Sequence, residues 1–166
     1  TYLKLSASAD TDPATTGANS IDITTTSWMV TGFGGYSLFE GDVARLDAIA
    51  GARLWSVDTE LQVNSDDPSL DGQTEEDAQT WVDPLVGAKL RVDLAPSVYV
   101  ASWAMIGGFG VGSDLMWDVM GGAGYEFNDT FSLYAGYRAM SVDYSDDGFV
   151  YDVVEQGPVA ALVFNF

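Results

Sequence analysis

The chain has 166 residues with 25 acidic and 6 basic side chains, a net charge of −19, and neither histidine nor cysteine. So acidic a surface repels nucleic-acid phosphates. The composition also excludes disulfides, zinc sites built from His and Cys, and nucleophiles activated by histidine. The size is that of one domain, residues 1–166. No apolar run reaches the roughly 18 residues a spanning helix needs, so a membrane crossing would have to use strands.

Turn residues divide the chain into eight candidate strands. The first covers about residues 2–9, with Leu3 and Leu5 on one face and Lys4 and Ser6 on the other; a polar loop with Pro13 and Gly17 follows. The second covers about 20–38, where Trp28, Val30, Gly32, Gly34 and Tyr36 alternate with Met29, Thr31, Phe33 and Gly35. Glu40-Gly41-Asp42 is a tight turn. The third, about 43–60, sets Leu46, Ala48, Ala50, Ala52 and Leu54 against Arg45, Asp47, Gly51 and Arg53. Residues 61–79 are expected to form the longest loop.

The fourth strand, about 80–94, shows the pattern best. Val82, Pro84, Val86, Ala88, Leu90, Val92 and Leu94 make one face; Asp83, Leu85, Gly87, Lys89, Arg91 and Asp93 make the other. After Ala95-Pro96, the fifth runs over about 97–107, with Val98, Val100, Ala104 and Ile106 on one side. Residues 107–112 are expected to be a flexible, glycine-rich connector. The sixth, about 114–127, alternates Leu115, Trp117, Val119, Ala123, Tyr125 and Phe127 with Asp114, Asp118, Gly122, Gly124 and Glu126. Asn128-Asp129-Thr130 is a tight turn. The seventh, about 131–144, places Arg138 opposite Phe131, Leu133, Ala135, Tyr137 and Ala139. A loop at 145–148 leads to the eighth, about 149–166, with Pro158, Ala160, Leu162, Phe164 and Phe166 on one face.

All six basic residues fall on polar strand faces. An even strand count, and connections that alternate between long or acidic and short, predict an all-β fold: an antiparallel up-and-down transmembrane β-barrel of 8 strands. Its apolar wall would face lipid. Its bore is expected to hold an ion-pair network of Lys4, Asp47, Arg53, Asp83, Lys89, Arg91, Asp93, Asp118, Glu126, Arg138 and Glu155. The inner glycines at 51, 87, 122, 124, 136 and 157 would leave room for the long side chains. Tyr36, Tyr125, Phe127, Phe131, Phe164 and Phe166 would form one aromatic girdle, with Trp55, Trp81, Tyr144 and Tyr151 toward the other end. Pro158 cannot donate to a ladder, so it is expected at a bulge or an unpaired position, with the pairing of strands one and eight as a weak seam.

The stretches GGFGVGSDLMWDVMGGAGYEF (107–127), GYRAMSVDY (136–144) and GPVAALVFNF (157–166) resemble a group of poorly characterised bacterial outer-membrane β-barrel proteins. LDAIAGARLW (46–55) and WVDPLVGAKLRVDL (81–94) look like that family's middle strands. The resemblance implies a location in the outer membrane of Gram-negative bacteria. It also implies that Phe164 and Phe166 act as a barrel-assembly signal. It implies no activity, cofactor or metal. Trp103 and Met105 stand where family members often carry charge, which implies apolar bulk in the bore. Members often have one more strand pair ahead of the first strand, which would make ten.

Function is therefore expected to be structural and non-enzymatic: a bilayer anchor, or a subunit of an outer-membrane assembly. Its partners would be membrane lipid, lipopolysaccharide and the barrel assembly machinery, with homo- or hetero-oligomers forming through the lipid-facing wall. The alternatives are a narrow, porin-like channel for small solutes or ions, lined by Arg53, Arg91 and Arg138, and a soluble lipocalin-like binding barrel. The acidic loop 64–77 reads as solvated, with calcium as the sharper alternative.

Overall fold

The structure, a computed structural model, describes residues 2–10, 19–66 and 72–164, without the side chains of residues 2, 3, 5, 10 and 21. The faces expected for Leu3 and Leu5, and Phe166 of the assembly signal, lie outside the described residues. Every described element is a strand: β1 (Tyr2–Asp10), β2 (Ser20–Glu40), β3 (Ala44–Asn64), β4 (Thr74–Ala95), β5 (Val98–Gly108), β6 (Leu115–Glu126), β7 (Phe131–Asp146) and β8 (Phe149–Phe164). They form one eight-stranded sheet in the order β1-β2-β3-β4-β5-β6-β7-β8. The registers are antiparallel, as an up-and-down meander requires.

Two compact units divide the chain: Thr1–Val30 with Leu54–Trp81, and Thr31–Arg53 with Val82–Phe166. β2, β3 and β4 each contribute residues to both.

In the first unit, β1 pairs with the start of β2, from Tyr2↔Trp28 to Asp10↔Ser20. The β3–β4 hairpin closes where Val63 N donates to Gln73 O (2.9 Å) and Gly72 N to Val63 O (3.0 Å). Both strands are longer than the sequence suggests, so residues 61–64 and 74–79 of the expected loop 61–79 are strand. Glu75, Glu76 and Asp77 are exposed and extended. Backbone pairing holds them in the strand without any apolar alternation.

In the second unit, the sheet has two chemically distinct faces. Val82, Val86, Leu90 and Leu94 are 40–63 % exposed, whereas Asp83 and Leu85 between them are at most 1 % exposed. Val119 (41 %) and Leu162 (60 %) are open, and Asp118 (0 %) is closed off. The aliphatic face is therefore the exposed one, and the face carrying the charges is the buried one.

The second unit's sheet also curls. Arg53 of β3 hydrogen-bonds Asp118 of β6, yet strands three apart in a flat sheet lie about 14 Å from each other. Glycines make the bend possible. A Cβ on Gly51, Gly87, Gly122 or Gly136 would lie 2.1–2.5 Å from a carbonyl oxygen of the adjacent strand. Their role is close backbone approach at a curved sheet, a different reason from the expected room for side chains. Gly124 does fit that expectation, because its Cβ would fall 2.0 Å from the Tyr99 ring.

Two turns and one strand position depart from the sequence reading. Residues 107 and 108 belong to β5, and residues 109–114 form a hydrogen-bonded turn, with Gly110 N donating to Ser113 O (3.0 Å) and Val111 N to Gly108 O (3.1 Å). Gly108 has φ +87°, and a side chain there would meet Ser113 O. The loop after β7 is only Asp147–Gly148, both at positive φ (44° and 92°). Asp-Gly favours such a tight hairpin, so both flanking strands continue to the turn. Pro158 sits opposite Tyr137 in an unbroken register, which removes the bulge alternative. A proline fits an unbroken ladder where its nitrogen points away from the paired strand, here β7.

Candidate functional site: buried charges on the sheltered face

Asp118 is the centre of the site. Strand parity turns it to the buried face of β6, between Met116 and Met120. Its carboxylate accepts four hydrogen bonds. Oδ1 takes Trp103 Nε1 (3.1 Å) and Arg138 Nε (2.9 Å). Oδ2 takes Nη2 of both Arg138 and Arg53. Four donors fill the lone-pair sites of a carboxylate, and the Arg138 contact is a two-pronged fork, the strongest form of the pair. Arg53 is 2 % exposed. Its Nε donates to Thr31 Oγ1 (2.8 Å), and its Nη1 approaches Met116 Sδ (3.9 Å). Two cations share one anion, and Glu155 adds a second negative charge within the electrostatic reach of both arginines.

A second cluster surrounds Arg91. Its Nε donates to Asp93 Oδ1 (2.9 Å), its Nη2 donates to Glu126 Oε1 (2.7 Å), and its guanidinium lies 3.8 Å from the centre of the Tyr99 ring. Arg45 Nε donates to Asp47 Oδ1 and Oδ2 (2.9 and 3.1 Å). Arg45 belongs with the expected residues although the sequence reading set it apart from them. In both i, i+2 pairs the period-two pleat puts the charges side by side.

Asp83 takes a different partner. Its carboxylate accepts Ser113 N (2.6 Å) and Ser113 Oγ (2.8 Å), both groups fully buried. The glycine-rich turn is thereby tied to β4. No local sequence pattern signals this bond between Ser113 and Asp83, which lie 30 residues apart.

The remaining expected members stand apart. Lys89 is exposed on the charged side of β4, with no carboxylate within ion-pair distance among the described residues. Lys4, in the first unit, shares a groove with Asp58, Glu60, Glu76 and Asp77 and is likewise exposed. In place of one expected network, the described residues form separate clusters, because paired charges need neighbouring registers as well as a common face.

The aromatics also divide. Tyr125, Phe127, Phe131 and Phe164 form a continuous run of ring contacts at 5.2, 5.3 and 5.5 Å across the ends of β6, β7 and β8. Tyr36 is 75 % exposed. By contrast Trp55, Trp81, Tyr144 and Tyr151 are at most 7 % exposed, on the buried face. In the first unit Trp55 stacks on Trp81 at 5.8 Å. Among the described residues no group of three or more acidic side chains is arranged to hold a metal ion, and no helix is long and apolar enough to cross a membrane, which says nothing of strands. Comparison with family models, curated proteins and solved structures finds no match.

Proposed function

We propose that this chain is a structural outer-membrane β-barrel that anchors in the bilayer without catalysing a reaction. The observation that carries the reading is the sidedness of the sheet. A water-exposed sheet buries its aliphatic face, whereas here Val82, Val86, Leu90, Ile106, Val119 and Leu133 are 40–48 % exposed while Arg53, Asp83 and Asp118 are at most 2 % exposed. Hydrocarbon is the solvent that favours this arrangement. The exposed aromatic run across β6–β8 suits the lipid–water boundary, where amphipathic rings prefer to sit. Lipid, lipopolysaccharide and the barrel assembly machinery are the partners of such a protein, with Phe164 in the position of an assembly signal. Small wall residues Ala50, Ala123 and Ala135, all exposed, would allow another subunit to approach closely.

The channel alternative is disfavoured by what fills the charged face. Arg53, Asp118 and Arg138 bridge three strands, and Leu85, Met105 and Met116 are at most 6 % exposed beside them.

The test is refolding into lipid vesicles and micelles. Ala50→Arg is expected to lower stability in vesicles by about 2–4 kcal/mol, while Ala101→Gln on the charged face changes it by about 1 kcal/mol or less. A folded, monodisperse monomer in detergent-free buffer would refute the membrane reading. Conductance above background in planar bilayers would favour the channel.

A further inference from the structure

We propose that the charged face of the second unit carries a binding site for an amphiphilic anion, meaning one carboxylate, phosphate or sulfonate group on an apolar body. This goes beyond the anchoring role and does not depend on it. A cavity of about 380 Å³ opens on that face, within the size range of small-molecule sites. Three of the chain's six basic residues line it, namely Lys89, Arg91 and Arg138. No acidic residue among the described residues is part of its lining. The carboxylates that pair with Arg91 and Arg138 stand outside the lining, so the cavity wall itself presents cationic donors.

The donors are also available. Lys89 has no ion-pair partner among the described residues. Arg138 spends Nε and Nη2 on Asp118, and Arg91 spends the same two atoms on Asp93 and Glu126. Each arginine keeps Nη1 free of any hydrogen bond to the described residues, and among those residues no buried side-chain nitrogen or oxygen is left unsatisfied. The carboxylates that hold the arginines fix their orientation, so little is lost in ordering them around a ligand. Val159 and Val163 of β8 add apolar lining, and Trp103 and Tyr134 add aromatic rings whose polar atoms are already bonded to Asp118 and Ala101 O. Cationic donors together with apolar and aromatic lining match an anion with a hydrophobic body better than a bare inorganic ion.

Isothermal calorimetry on the full chain, folded in an uncharged detergent, tests this with naphthalene-2-sulfonate and dodecyl phosphate as probes. Their neutral controls are naphthalene-2-methanol and dodecanol. Saturable binding of at least one anion, about tenfold or more tighter than its neutral control, is expected. Binding of both marks a site for free amphiphilic anions, and binding of dodecyl phosphate alone marks a lipid-headgroup site. Lys89→Gln should weaken binding about tenfold, and Lys89→Glu should abolish it. Lys89 is exposed and unpaired, so neither change should disturb folding, which gel mobility checks. Equal binding of the anions and their neutral controls, no binding of either anion, or indifference to Lys89→Glu would overturn the proposal.

Discussion

Asp118→Ala is the most revealing single change. It removes the carboxylate shared by two guanidinium groups and the indole of Trp103, four accepted hydrogen bonds in all. The charges left behind differ in their access to water. The Arg53 side chain is 2 % exposed and that of Arg138 is 19 % exposed. Arg53 keeps its bond to Thr31 but cannot rehydrate; Arg138 can in part. Breaking a buried pair from one side costs about 3–5 kcal/mol, a large share of the 5–15 kcal/mol typical of a domain. Arg138→Ala should cost less, about 1–3 kcal/mol, because Asp118 retains Arg53 and Trp103. The triple replacement Arg53→Met, Asp118→Leu, Arg138→Met should recover most of the loss and lie within about 1 kcal/mol of the parent, since a buried ion cluster gains little over apolar packing once desolvation is counted. Urea titration in uncharged micelles, followed by tryptophan fluorescence, measures all three. A loss below about 1 kcal/mol for Asp118→Ala, or a triple variant as unstable as the single one, would show that the cluster does not hold the strands as argued.

Two further changes probe the backbone. Gly122→Ala brings a Cβ to 2.3 Å from Ala135 O, and should cost about 1–3 kcal/mol or shift the β6–β7 register; Gly34→Ala and Gly157→Ala, with open space around them, should stay within about 0.5 kcal/mol by the same titration. Asp83→Ala releases Ser113 and should cost about 2–4 kcal/mol, with faster chymotrypsin cleavage at Phe109. Ser113→Ala keeps the backbone bond to Asp83 and should show a smaller effect in both measurements.

The eight strands and the two faces of the sheet were readable because period-two alternation is strong at 82–94 and 114–127, where most aliphatic residues have a charged residue or glycine beside them. The ends of β3 and β4 were not readable. Thr74–Gln79 is an acidic stretch without apolar alternation, drawn into the sheet by its backbone bonds alone. The Asp147–Gly148 turn did carry its signal, and the two residues suffice for a hairpin without the flanking loop. For the site, the face of each charge followed from parity, and the Arg45–Asp47 and Arg91–Asp93 pairs follow from a spacing of two. That Arg53 meets Asp118, 65 residues away, depends on register and on the curl of the sheet, and neither is written in any local pattern. Asp83 and Ser113 meet for the same reason.

The exposed wall limits what the folded chain can be in water. Hiding a Val, Leu or Ile side chain is worth about 1.5–3 kcal/mol, and Val82, Val86, Leu90, Ile106, Val119, Leu133, Val154 and Leu162 are each 40–63 % exposed. Forgoing about half of that at eight positions comes to roughly 10 kcal/mol, as much as the whole stability of an ordinary domain. A wall of this kind needs a cover, either hydrocarbon or an apolar protein surface. A charge placed on it separates the two. Ala50→Arg in lipid costs the same at any protein concentration, because the hydrocarbon is always there. Against a protein cover it would instead split an oligomer, and its effect would fade on dilution.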